Sequence, residues 1–235
     1  MIFCNDNKLS DDVTFTVDTP SVAFPISNIY SNSIKGLGKF TDTVVIDMTE
    51  VVDIDTLCIV NSSNTITIEA NSSDSWGAPP FTQTMTALAG TNIAIEILSA
   101  TESYRYWRLT ASGETTLGHC FIGTKYTFPL ANNGSIPSRP TTDQTSVSTS
   151  GVGYTSKGHI TRSQSFSLEW VSLLEFNSFI DMWDSSLRVK YGIFAQFEES
   201  LTYYKPYFAQ LTEANFRRRE SYDAHTFSMK VTERK

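Results

Sequence analysis

The sequence predicts an all-β protein, with an N-terminal jelly-roll β-sandwich followed by a small C-terminal β-barrel or sandwich that carries one helix. In the first half, short runs rich in β-branched residues alternate with turn-forming clusters at intervals of roughly 8–12 residues. A stretch poor in apolar residues then separates this half from a second, aromatic-rich half. Because 40% of the 235 residues are hydrophobic, disorder is excluded over most of the chain.

The first half contains strand patterns and no helical pattern of useful length. Val13–Val17 alternates apolar and polar residues, as a strand with one buried face does. The other β-rich segments are Val44–Ile46, Leu57–Val60, Ile66–Ile68, Ile93–Ile97 and Trp107–Leu109. Clusters of Asn, Ser, Asp, Gly and Pro separate them, so we expect short antiparallel strands joined by tight turns.

A domain boundary is predicted within Pro129–Gly153, which has the composition of a linker. We therefore divide the chain into residues 1–128, a linker or extended arm at 129–153, and residues 154–235. Charge supports the division: residues 1–153 hold 15 acidic and 7 basic residues (net −8), whereas 154–235 hold 10 and 11 (net +1). A long β-arm or exposed loop within a single domain is the alternative.

The sequence of the second half predicts a strand, a helix and then further strands. Phe166–Trp170 alternates as a strand, and Ser172 with Glu175 forms a capping box at the start of a helix over Leu173–Trp183. The strand patterns that follow are Leu187–Tyr191, Ile193–Phe197, Tyr207–Leu211 and Phe227–Val231.

Charge and hydropathy exclude two classes of partner. The formal net charge is −7, which argues against nucleic-acid binding as the main role. The apolar runs are far shorter than the ~20 residues that a membrane-spanning helix needs. The three cysteines, Cys4, Cys58 and Cys120, cannot all pair and lie among apolar neighbours, so we expect buried, reduced thiols in a protein made in a reducing cytoplasm.

The residues that carry common chemistries are not arranged as a reaction site. His119 and Cys120 are adjacent in a predicted strand, so their side chains point to opposite faces. The three histidines are widely spaced, without zinc-ligand intervals. We therefore predict no enzyme, no catalytic residue, no cofactor and no metal ligand. A structural calcium ion near Asp53 and Asp55, or near strand-end carboxylates such as Asp74 and Glu96, is left open.

One polar loop holds a candidate ligand contact. Trp76 lies in the loop Ser72–Pro80, close to Asn71 and Asp74. An aromatic face can cover the apolar face of a sugar ring, so these three residues are the predicted glycan contact. The alternative, which is the more common outcome for such a residue, is that Trp76 packs down and anchors its own loop.

An ordered set of strands resembles a known family. Asp53–Asn61, Thr65–Ala70 and Tyr104–Leu109 are similar to the core strands of galactose-binding-like (discoidin-type) jelly rolls found in minor structural proteins of tailed bacteriophages. Pro25–Ile29 resembles a segment that precedes those strands, and His119–Gly123 resembles the short glycine-containing strand that follows them. The resemblance covers about residues 20–128. The C-terminal part more loosely resembles the helix-flanked β-barrel of ring-forming tail-tube and distal tail proteins.

The resemblance implies a non-enzymatic structural role in a phage virion. The expected protein is a distal tail or baseplate component at the tail tip, made in the host cytoplasm, that forms a homo-oligomeric ring and joins the tail tube to the hub. Its partners would be other copies of itself and the tube and hub proteins. A carbohydrate-binding module that contacts host surface glycans is the alternative function.

Overall fold

The computed structural model describes residues 2–30, 36–89, 91–127, 136–138, 144–147, 153–156, 163–174, 176–177, 180–181, 193–196, 207–218 and 225–233. The strands are β1 (Ile2–Asn7), β2 (Thr14–Val17), β3 (Gly38–Val60), β4 (Ile66–Asn71), β5 (Phe81–Met85), β6 (Ile93–Leu117), β7 (His119–Thr127), β8 (Ile136–Ser138), β9 (Gln144–Val147), β10 (Gly153–Ser156), β11 (Ser163–Val171), β12 (Ile193–Gln196), β13 (Tyr207–Arg218) and β14 (His225–Glu233). A short 3-10 helix spans Ile26–Tyr30.

The strands pair in one path, in the order β5-β4-β6-β3-β7-β1-β12-β13-β14-β11-β8, with β2 also paired to β3. The pairings along this path are antiparallel, including those of the two longest strands, β3 and β6. Strands β9 and β10 form a separate two-stranded sheet. The all-β, antiparallel prediction is therefore confirmed for the first half of the chain.

Two long strands stand where the sequence predicts pairs of shorter ones. The first part of β3 pairs with the last part of β6, and Thr56–Val60 pairs with both Ile93–Ile97 and His119–Gly123. Between these parts, the β3–β6 register shifts after Asp47 and again after Ile54, and Thr49 has a φ of 65°. A β-branched residue in that region is strained, which marks the bend in β3. The bends create two packed layers, and the described residues between 2 and 127 form the predicted sandwich. The first layer consists of β2, β4, β5, the first part of β3 and the last part of β6, and the second consists of β1, β7, the second part of β3 and the first part of β6.

The main core lies between these two layers. It takes Val44 and Ile46 from the first part of β3, and Leu57 and Ile59 from the second part. Trp107 is its largest fully buried side chain. The Trp107 ring packs edge-on to Tyr104, with ring centroids 6.4 Å apart, and at a tilt to Phe81, at 5.7 Å. Such aromatic burial is a main contribution to the stability of the sandwich.

A second cluster lies on the other face of the second layer. Its buried members are Cys4, Cys58, Val60, Ile93 and Phe121. Residues 56–60 and 119–123 are therefore buried on both faces. Apart from Thr56 and His119, their sequence is apolar or glycine without alternation, as expected for strands covered on both sides. All three cysteines are buried and unpaired, as predicted. Burial raises the pKa of each thiol well above its ordinary value, so the thiols are protonated at neutral pH.

The N-terminal strand pairs along both of its edges. Ile2–Asn7 pairs with β7 on one side, and Ile2–Cys4 pairs with Phe194–Gln196 of β12 on the other. Gly123 of β7 permits this arrangement, because a Cβ at that position would overlap the backbone oxygen of Asp6. The strands of the C-terminal half thus continue the sheet of the sandwich through β1.

The C-terminal strands follow most of the predicted segments. Strands β11, β13 and β14 contain the predicted strands Phe166–Trp170, Tyr207–Leu211 and Phe227–Val231. The predicted strand Leu187–Tyr191 lies outside the described residues. Within the predicted helix, residues 173–174, 176–177 and 180–181 are helical. The closure of these strands into a barrel and the division at residues 129–153 stay predictions.

No helix among the residues that the structure describes is long and apolar enough to cross a membrane.

Candidate functional site

The structure brings the three predicted glycan-contact residues together in the loop that joins β4 and β5. The indole Nε1 of Trp76 donates a hydrogen bond to Asp74 Oδ1 at 2.7 Å. The side-chain amide of Asn71 donates to the carbonyl oxygen of Ser75 at 2.5 Å, and the side-chain oxygen of Asn71 accepts from the backbone N–H of Ser72. Asn71 and Asp74 therefore hold the loop in shape.

The Trp76 ring also packs against the sheet. The guanidinium carbon of Arg108, on β6, lies 4.5 Å from the centroid of the Trp76 ring. Arg108 is held by Glu69 of β4, with Nε at 2.7 Å from Oε2, and Glu69 also accepts from Thr110 Oγ1 at 3.1 Å. A cation–π contact of this kind contributes about 0.5–2 kcal/mol. The geometry supports the alternative interpretation, in which Trp76 anchors its loop, while the ring stays partly exposed.

A cavity of about 280 Å³ opens at the opposite end of β4. Two segments form it, namely residues 61–65 between β3 and β4, and residues 86–87 with 91–92 between β5 and β6. Its described lining consists of Ile59, Ser62, Ser63, Asn64, Thr65, Ile66, Met85, Thr86, Ala87, Thr91, Asn92 and Ala94. Because β4 has six residues, the cavity and the Trp76 loop are separated by about 17 Å along that strand.

Hydrogen bonds within the two loops fix the shape of the cavity. The backbone N–H of Asn61 donates to the carbonyl oxygen of Asn92 at 2.8 Å, which links the two loops directly. The side-chain amide of Asn64 donates to Glu114 O and to Thr115 Oγ1. The hydroxyl of Thr91 donates to Leu88 O and accepts from the N–H of Ile93. Asn61 has a φ of 53°, a conformation that asparagine tolerates better than most residues.

The cavity has an apolar floor of buried side chains and a rim of polar, uncharged side chains. Ile59, Ile66 and Met85 are buried and supply apolar surface, whereas Thr65, Thr86 and Asn92 are exposed at the rim. None of its described lining residues carries an ionisable side chain. The cavity can therefore offer hydroxyl and amide hydrogen bonds over an apolar floor, but those residues offer no acid, base or charged ligand.

The sequence prediction missed this cavity. Asn61–Asn64 has the composition of a turn, the sequence prediction assigns nothing to Thr86–Asn92, and nothing local indicates that the two segments meet. Their composition is the one available signal, since both are rich in hydroxyl and amide side chains without charges.

Two of the carboxylates considered for calcium bond to different partners within the protein. Asp53 accepts a hydrogen bond from Ser103 Oγ, and Asp55 pairs with Lys125 at 3.2 Å. In the part of the chain that the structure describes, no three His, Cys, Asp or Glu side chains are grouped so as to hold a metal ion. His119 and Cys120 are both buried in β7, where adjacent side chains point to opposite faces.

The comparisons with known proteins give structural similarity only. No protein-family model matches the chain, and no curated protein matches it. About half of the chain is similar to a family 32 carbohydrate-binding module of Clostridium perfringens in complex with galactose (10% identity, 53% of this chain and 99% of that one, TM-score 0.41). It is also similar to a fucose-binding module of Streptococcus pneumoniae (13%, 52% and 98%, 0.40).

A chitosan-binding module from a chitosanase/glucanase of Paenibacillus sp. IK-5 is similar at the same level (13% identity, 50% of this chain and 98% of that one, TM-score 0.38). At these TM-scores, the similarity by itself does not say what this chain binds.

Proposed function

We propose that the sandwich is a non-catalytic carbohydrate-binding module that takes a neutral sugar in the cavity between residues 61–65 and residues 86–87 with 91–92. The observation that carries the proposal is the described lining, in which uncharged hydroxyl and amide groups stand over an apolar floor. A sugar ring has the matching chemistry, since it carries hydroxyls around its edge and C–H groups on its faces.

Preorganisation of the loops supports binding. Asn64 and Thr91 already bond to neighbouring strands and turns, so they do not need to be ordered when a ligand enters. Rigid sites lose less conformational entropy on binding than mobile ones. The exposed groups of Thr65, Thr86 and Asn92 are then the expected sources of hydrogen bonds to the ligand.

Calorimetric titration tests the proposal, with the neutral monosaccharides galactose and fucose as probes. We expect at least one of them to bind, and Thr86→Ala combined with Asn92→Ala to weaken its binding about tenfold through the loss of two hydrogen bonds. Ser99→Ala, at an exposed position of β6 outside the cavity lining, is the matched control and should bind as the unchanged chain does. If the double variant and the control bind the sugar with equal affinity, the cavity is not the binding site.

Structural assembly in a phage tail is the second proposal. It rests on the resemblance of residues 20–128 to jelly rolls of phage tail proteins, and the structure adds that β1 joins the sandwich and the C-terminal strands in one sheet. In that role the chain would form a ring between tube and hub, and its sandwich could still contact glycans of the host. The oligomeric state in solution tests this role.

A further inference from the structure

The outer face of the first layer is rich in threonine and other polar side chains along β4, β5 and β6. Trp107, Leu109 and Ala111 point into the core, so alternation along the strands places their neighbours outside. On β4, β5 and β6, the outward side chains are Thr67, Glu69, Asn71, Thr82, Thr84, Tyr106, Arg108 and Thr110. This surface, which we call the threonine face, carries four threonines, Tyr106 and polar or charged side chains, and on β3 it is bordered by the aliphatic Val45, which lies opposite Arg108.

Two partly exposed aromatic rings lie at one end of the threonine face. Trp76 packs on Arg108, and Tyr106 has the guanidinium carbon of Arg105 at 5.0 Å from its ring centroid. Asn71, which begins the Trp76 loop, lies opposite Tyr106 across the β4–β6 pairing. Arg108 and Tyr106 are two residues apart on the same face of β6, so the two rings lie at the same end of the threonine face, and each is in contact with a guanidinium group.

The charges at this end are already paired. Arg108 bonds to Glu69, and Arg105 makes two hydrogen bonds to Asp47, at 2.7 and 2.8 Å. The carboxylate of Asp74 accepts from the Trp76 indole. Because these charges are satisfied within the protein, a charged ligand would gain little from them, and a neutral ligand fits better.

We propose that Trp76 and Tyr106 form a second glycan subsite, separate from the cavity, on which a pyranose unit of a neutral polysaccharide chain stacks. This inference rests on the proposed carbohydrate-binding function and adds a second point of contact to it. It also changes the roles expected from the sequence, since Asn71 and Asp74 position the loop and Tyr106 takes a place at the subsite.

The composition of the threonine face favours a sugar chain over a protein partner. The buried core of a protein interface is about two-thirds apolar, whereas this face presents two rings and Val45 among hydroxyl, amide and already paired charged groups. A polysaccharide chain instead needs flat aromatic surfaces for its C–H faces and hydroxyl groups for hydrogen bonds. Thr67 and Thr84, whose hydroxyl oxygens lie 3.4 Å apart, supply such groups along the neighbouring strands.

Affinity gel electrophoresis with galactan, xyloglucan and agarose tests the second subsite on the full chain. We expect the unchanged protein to be retarded by at least one of these neutral polysaccharides. Trp76→Ala and Tyr106→Ala should each weaken the retardation at least about tenfold, because two linked contacts bind far more tightly than one. Trp76→Phe keeps an aromatic ring, so it should weaken the retardation less than Trp76→Ala does. Thr16→Ala, on the outer face of β2 in the same layer, is the matched control and should leave retardation unchanged.

Calorimetry with the monosaccharide probes separates this inference from the proposed function. If the second subsite exists, Tyr106→Ala keeps the monosaccharide affinity of the cavity while polysaccharide affinity falls. Polysaccharide affinity that is unchanged in both Trp76→Ala and Tyr106→Ala overturns the second subsite and leaves the cavity standing. Failure of all three polysaccharides to retard the protein overturns the second subsite as well. Self-association that Trp76→Ala abolishes would assign the face to a protein contact instead, and would also overturn it.

Discussion

At the scale of single residues, several polar side chains near the Trp76 loop make hydrogen bonds within the protein. Asn71 and Asp74 make hydrogen bonds within their own loop, and Arg108 makes one to Glu69 of the neighbouring strand. Asp55 likewise accepts from the backbone N–H of Lys125. An isolated polar residue in a β protein is therefore weak evidence for a ligand, because the turns and edges of the sheet need the same groups.

Asp47 predicts a measurable acid dependence. The Arg105 hydrogen bond lowers the pKa of the Asp47 carboxyl below its ordinary value of 3.8. A carboxyl whose pKa is lower in the folded state stabilises the fold above its unfolded pKa, and this stabilisation is lost as pH falls through the folded pKa. Asp47→Asn should therefore lower the thermal midpoint at pH 7 and change it little at about pH 2.

Thermal unfolding followed by circular dichroism across this pH range checks the prediction. Asp12→Asn, at an exposed position, provides the control and should follow the unchanged protein at every pH. An Asp47→Asn variant whose midpoint runs parallel to that of the unchanged protein down to pH 2 would contradict the prediction.

At the scale of elements, β1 decides how the two halves of the chain are connected. It is six residues long, and its sequence, Ile2–Asn7, is not a stronger strand pattern than its neighbours. Its importance comes from its position between β7 and β12. The bulge between Cys4 and Asp6 and the close approach to Gly123 are the local features that let it fit there.

Gly123→Ala should loosen β1. The added methyl group would overlap the Asp6 backbone, and overpacking of this kind costs about 1–3 kcal/mol or more. Hydrogen exchange should then accelerate at the amides of Ile2–Asn7 and, because β12 pairs with β1, also at Ile193–Gln196. Gly77→Ala is the control, since a Cβ at Gly77 meets open space. Acceleration in β1 without any change in β12 would show that the pairing between them does not hold the C-terminal strands.

At the scale of the whole molecule, the two proposed functions make different predictions about mass. Light scattering of the purified chain over a range of concentrations should give a closed oligomer of fixed size if the chain forms a tail ring by itself. Hydrophobic edges left at the end of a sheet are commonly covered by such assembly. A monomer at every concentration would contradict a ring made by this chain alone and would be consistent with a separate binding module.

The sequence by itself determined the all-β class, the positions of most strands and the burial of the three thiols. These features depend on local composition and on the two-residue period of a strand, both of which a single segment displays. Val13–Val17 and Ile66–Ile68 show the limit of this information, because their alternation says which residues share a face and not which strand lies beside them.

Only the tertiary structure decided the location of the cavity, the partner of Trp76 and the place of β1 in the sheet. The cavity forms where residues 61–65 meet residues 86–87 and 91–92. The Trp76 ring packs on Arg108, and β1 pairs with Phe194–Gln196. Each of these contacts joins segments that are distant along the chain, so it depends on the register and bending of β3 and β6. That register is set by the packing of the whole core, and no single segment of the sequence contains it.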